Sequence, residues 1–282
     1  MHRDYTIDYE KGIVVALMVF CHVMQFFGNE ALYPEQYWIT QSICVLAFPL
    51  FLFTFGRSVY IAYYTKPFFT VVPRMLKSAL RCYCSFCISG IFCQVFINNA
   101  PFNLSTIWDI LVLNTIPSMS EFLISFALFA VLALVAFPIF KWLLSHKTVF
   151  WCVTLLCGCS VFIPYNNITD PRLGLLIGTT AFSAFPLLQY MPFFLLGMYV
   201  AAHSMQRKWI WLLVSGVLTA IAVGHILAYH LLPTRFPPSL MWLLLSIFGV
   251  IALDIFSSML EKWVKISNPL KTVLPPHTIF GQ

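Results

Sequence analysis

The chain has 282 residues, 60% of them hydrophobic and only 9% charged, with a mean hydropathy of +0.86, whereas a soluble domain carries roughly 25% charged residues. This excludes a soluble globular protein and predicts an all-α polytopic transmembrane bundle, one domain over residues 1–282, built of segments near the ~20 residues that cross a hydrocarbon core. The formal charge of +6 does not imply nucleic acid, because the basic residues sort by side of the membrane.

Residues 1–10, MHRDYTIDYE, are polar and lead into a first helix at 11–28. It has no A-x-A-like cleavage context, so it reads as a retained helix rather than a signal peptide. A connection with two glutamates and no Lys or Arg leads to helix two at 41–64. Lys66, Arg74 and Lys77 fill the next connection, before helix three at 78–97. Beyond the uncharged NNAPFNLST, Ser105 is placed to cap a short interfacial helix, TIWDILVLNTI, ended by Pro117. Helix four is predicted at 121–143 and helix five at 148–164, followed by an outward loop with Arg172. The apolar stretch LGLLIGTTAFSAF suits a re-entrant or interfacial piece. Helices six, seven and eight are predicted at 186–203, 209–230 and 239–258. With the amino terminus in the cytoplasm, 13 of the 16 Lys and Arg residues lie inside, Arg172 and Arg235 outside, and Arg57 within helix two. That asymmetry predicts eight crossings with both termini cytoplasmic.

Nine cysteines lie mostly in apolar segments, where a thiol behaves as a small hydrophobe. Cys84-Ser-Phe-Cys87 has redox spacing, but no second pair or His cluster completes a metal site, and no metal is expected. The sequons at Asn103 and Asn167 both fall on outward loops.

The polar groups separate into two levels. In the first helix Lys11 and His22 are eleven residues apart, close to three turns, so they share a face about 16 Å apart. An ionisable group held at that depth is a functional candidate, the alternative being a His that hydrogen-bonds a neighbouring helix. Near the cytoplasmic face lie Lys11, Arg57, Arg74, Lys77 and Arg81, the last three at i, i+3 and i+7. Such cations suit a phosphate-bearing donor, Arg by bidentate hydrogen bonds and Lys as a point charge; Lys77 can equally snorkel to headgroups. Arg57 sits well inside its helix and requires an anion partner, which Asp8 or Glu10 could supply, or a water-filled cavity. Toward the outer face lie His22, Glu121 and His225. A neutral imidazole can accept a proton from a hydroxyl or amine, and a carboxylate such as Glu121 could orient it, unless Glu121 only complements a helix dipole. His225 and Asp254 read as interhelical hydrogen-bonding groups. No G-x-S-x-G, H-E-x-x-H or P-loop is present.

The opening TIDYEKGIVVALMVFCHVMQFF, with its acidic-x-x-[RK]-G start and the Lys11-x10-His22 spacing, resembles the first helix of the acyltransferase type 3 family and the related heparan-alpha-glucosaminide N-acetyltransferase-like family. FPLFLFTFGRSVYIAYY is similar to the second helix of the latter, Arg74-Met-Leu-Lys77 to a basic R-x-x-R stretch, and LLQYMPFFLLGMYVA to a later helix. The resemblance implies transfer of an acyl group, often acetyl from cytoplasmic acetyl-CoA, to a carbohydrate or lipid-linked acceptor, by a multi-pass enzyme of the plasma membrane. That role fits the reading of the residues, which puts His22 and Glu121 in catalysis and Lys11, Arg57, Arg74 and Arg81 on the donor. Family members usually have ten or more crossings, so ISNPLKTVLPPHTIFGQ reads as the approach to a final helix pair, and a homo-oligomer completing the bundle is one expectation. A proton-coupled transporter and a non-catalytic assembly partner are the competing classes.

Overall fold

The structure, a computed structural model, describes residues 5–29, 32–203 and 208–267, which are helical with no strand among them. Arg207 and the expected approach to a further helix pair, from residue 268 on, lie outside the described residues.

Helix α1, Tyr5–Phe27, begins six residues earlier than hydropathy predicts. The polar residues there are covered by another helix: Thr6 N donates to Glu261 Oε2 at 3.1 Å and the Thr6 hydroxyl donates to the same oxygen. Glu261 belongs to the last helix, α11, Leu240–Ser267. Helix α2 runs Pro34–Val59 and ends in a π-helical turn, Tyr60–Tyr64. Pro49 lies inside it and, having no N–H, leaves the carbonyl of Val45 without its helical donor. Ser246 of α11 donates its hydroxyl to that oxygen at 2.7 Å, as a bilayer interior demands of any exposed backbone group.

Helix α3, Phe68–Phe92, starts ten residues before the expected position, so Arg74 and Lys77 are helical and not part of a connection. A helix satisfies its own backbone hydrogen bonds and runs through charged residues without stopping at them. The short α4, Leu104–Leu111, is capped by Asn103, whose side chain accepts from Thr106 N at 2.9 Å, and not by Ser105.

The predicted fourth helix is two, α5 Glu121–Val135 and α6 Phe137–Ser145, bent by 77°. Pro138 in the first turn of α6 removes a ladder hydrogen bond and its ring crowds the preceding turn. Helix α7, Lys147–Cys159, precedes a short α8, Pro171–Ile177, which ends at Gly178 with φ +99°, a conformation that favours glycine. Residues 178–186 are irregular. Helices α9, Leu187–His203, and α10, Lys208–Tyr229, precede α11.

Among the described residues five helices are long and apolar enough to cross a membrane, six if the bent α5–α6 pair forms one span, and 147–162 and α9 are shorter apolar helices. The chain is an integral multi-pass membrane protein. Its packing centre is the crossing of α2 and α9. A Cβ at Gly56 would run into the Phe194 carbonyl, and one at Gly197 into the Phe53 carbonyl. Backbone meets backbone there, the small-residue device by which helices associate in lipid.

Candidate active site

Met18, Cys21, His22 and Gln25 of α1, spaced i, i+3, i+4 and i+7, form one wall of a cavity of roughly 370 Å³. Cys44, Ala47, Phe48 and Phe51 of α2, at the same spacing, form the second wall. The start of α5 contributes Glu121 and Phe122, the irregular segment Ser183 and Phe185, and the α10–α11 connection Arg235 and Phe236. Phe48 stacks on Phe185 with centroids 3.9 Å apart, which fixes the irregular segment against α2.

The two residues expected to be catalytic from sequence thus line one cavity. His22 is half-buried, and its Nδ1 lies 3.2 Å from Gln25 Oε1 one turn on. Glu121 is 8% exposed, and its Oε2 has no hydrogen-bond partner among the described residues. Glu121 does not hydrogen-bond His22, whose side-chain partner is Gln25, and it lines the same cavity from the start of α5.

Arg235 was legible only as an outward charge, yet it is part of this cavity. Its guanidinium lies 4.7 Å from the Phe236 ring centroid and 5.2 Å from that of Phe185. Nη1 donates to Cys44 Sγ at 3.4 Å, and Nε is buried without a hydrogen-bond partner among the described residues. The Cys44 sulfur is in turn 3.1 Å from that of Cys21. A cation between prolines in a connection with no other charge is the one sequence feature that could have singled Arg235 out.

The residues expected at the opposite level are not gathered in one place. Arg57 is 7% exposed, and its Nη1 lies 2.5 Å from both Glu10 Oε1 and Asp254 Oδ1. Glu10 is therefore a partner, as anticipated, and Asp254 forms an ion pair as well as an interhelical hydrogen bond. Lys11, Arg74 and Arg81 are exposed. His225 is half-buried against Tyr229, 4.7 Å between ring centroids, and does not line the cavity. A second hollow of roughly 530 Å³ is lined by Tyr60, Tyr64, Lys141, Trp142 and His203. From Cys44 to Tyr60 along α2 the helical rise is about 24 Å, so the two hollows lie toward opposite ends of the bundle.

A protonatable imidazole, an unpaired carboxylate and a cation around one small cavity suit proton transfer beside a developing charge. No curated protein matches the chain, and no solved structure does. A family model described as an acyltransferase domain matches residues 4–270, nearly the whole sequence, and the chain accordingly belongs to the acyltransferase type 3 family, enzymes that transfer acyl groups.

Proposed function

We propose that the protein takes an acyl group, acetyl in the simplest case, from a cytoplasmic acyl-CoA and passes it to a hydroxyl or amine of a carbohydrate or lipid-linked acceptor of the cell envelope. The observation that carries this reading is the placement of His22 and Glu121 around one cavity. His22 takes the proton as the acceptor attacks the thioester carbonyl; the carbon–sulfur bond breaks and the thiolate leaves with a proton. Transient acylation of the ring itself is the second form of the same step. Glu121 supports the imidazolium charge from within the same cavity.

Lys11, Arg74 and Arg81 supply positive charge for the donor's phosphates at the inner level. Arg57, engaged by two carboxylates, holds α1, α2 and α11 together beneath the site and serves the donor indirectly. The bent α5–α6 pair and the two shorter apolar helices complete eight crossings in the plasma membrane, with both termini cytoplasmic, in keeping with the Lys and Arg distribution.

The test is free-thiol release from acetyl-CoA by the purified protein in proteoliposomes containing candidate envelope sugars. Loss of Nε2 and Nδ1 in His22→Ala should lower transfer by roughly 10²–10⁴-fold while the protein stays folded and retains CoA. Wild-type turnover in that variant would overturn the assignment, and solute flux without thioester consumption would favour a transporter.

A further inference from the structure

Arg235 lines the cavity without an ion-pair partner among the described residues. Among the described residues no carboxylate lies within ion-pairing distance of Arg235, whose one hydrogen bond is to the Cys44 sulfur and whose Nε is buried and unsatisfied. A guanidinium carries five donors in a rigid fork; Arg235 is partly buried and only one of those donors has a protein partner, so an anion in the cavity would supply acceptors that the protein does not. Phe185 and Phe236 lie against the guanidinium, and a side chain held in this way loses little freedom when a ligand arrives. Glu121, the one carboxylate lining the cavity among the described residues, forms no ion pair with Arg235, and its Oε2 is also unsatisfied there. Cation and carboxylate thus line one cavity without pairing with each other.

We propose that the acceptor is an acidic molecule, with a carboxylate or phosphate bound by Arg235 and the hydroxyl or amine to be acylated turned toward His22 and Glu121. This rests on the acyltransfer reading and adds the charge class of the substrate to it. Repulsion from Glu121 sets the polarity: the anionic group is driven to the Arg235 side and the neutral nucleophile to the other. A cavity of roughly 370 Å³ is at the small end of ligand pockets and suits one sugar ring or one lipid headgroup. Arg235 acts as a binding residue and makes no proton transfer.

The experiment uses the full chain in nanodiscs of zwitterionic lipid, titrated with methyl glucuronide and its neutral counterpart methyl glucoside, and in parallel in nanodiscs containing phosphatidate. The glucuronide should bind at least tenfold more tightly than the glucoside, and added salt should weaken it. Arg235→Gln should lose that preference and Arg235→Lys should keep part of it. If the anion is a lipid headgroup, phosphatidate should displace the glucuronide from the wild type and not alter Arg235→Gln. Equal binding of both glycosides together with indifference to phosphatidate overturns the proposal, as does an Arg235→Gln variant that binds like the wild type. Thiol release from acetyl-CoA is followed on the same samples. Equal acylation of neutral and acidic acceptors removes the charge preference and leaves the transferase reading intact. Arg235-dependent binding with no thioester consumption does the reverse.

Discussion

Arg57 and Asp254 are 197 positions apart in the chain, yet their side chains meet at 2.5 Å in the bundle interior, with Glu10 on the same guanidinium nitrogen. Breaking a buried pair by removing one partner costs about 3–5 kcal/mol, because the survivor is left as an uncompensated charge. Arg57→Ala strands two carboxylates and should lower resistance to denaturant unfolding in detergent by that order, whereas Asp254→Ala leaves Arg57 paired with Glu10 and should cost less; CoA affinity should be little changed in whatever fraction stays folded. Unaltered stability with a selective loss of CoA binding in Arg57→Ala would return Arg57 to the donor site.

The close crossing of α2 and α9 sets the position of Arg57, since a Cβ at Gly197 would also crowd the Arg57 backbone. Neither carbonyl that faces these glycines can move without disturbing its own helix. Gly197→Ala should cost about 1–3 kcal/mol, the usual range for overpacking, and Gly56→Ala a similar amount. A thermal unfolding series with both single variants and the double variant measures this, and the double should fall short of the sum because one separation of the helices relieves both clashes. Additive losses would mean that the two contacts are independent.

The long apolar helices were readable from hydropathy because each must present a hydrophobic surface to lipid along its whole length. Their starts were not: Thr6 and Glu10 look like a polar lead-in until α11 is seen to cover them, and Arg74 and Lys77 look like a loop although the helix runs through them. The 77° break at Ala136 has its cause in Pro138, a signal present in the sequence and masked by continuous hydrophobicity. His22 stood out because a lone imidazole in an apolar helix is costly, and Glu121 because a carboxylate there needs a reason. Arg235 did not, since an arginine in a connection normally reports only which side of the membrane it is on. Its role depends on residues from α2, the 178–186 segment and its own connection converging in space, which periodicity within one helix cannot reveal.

His22 and Glu121 share the cavity without touching, so in the proposed mechanism they would act together only through the substrate. Glu121→Gln should reduce the transfer rate by a smaller factor than His22→Ala, and adding it to His22→Ala should cost little more, the non-additivity expected of groups that act on one step. Single-turnover thiol release with the two single variants and the double provides the comparison. Full multiplication of the two losses would assign Glu121 to a separate task such as folding of the α5 start.

Cys21 and Cys44 place their sulfurs 3.1 Å apart, on the two helices that form the cavity's main walls. A covalent bond would need the sulfurs about 1 Å closer, a shift that side-chain rotation can supply. Diamide should therefore oxidise the pair, its azo group taking up two electrons and two protons as the two thiols become one disulfide. Peptide mapping should find the Cys21 and Cys44 peptides joined, with a loss of two hydrogens. The cross-link pins α1 to α2 beside His22 and consumes the sulfur that faces Arg235, so transfer should fall in step with oxidation and return with dithiothreitol. Cys21→Ala and Cys44→Ala should each resist inactivation, although seven other thiols remain. Inactivation that persists in both variants would trace the effect to another cysteine, and thiols at 21 and 44 that stay alkylatable throughout would contradict their placement side by side.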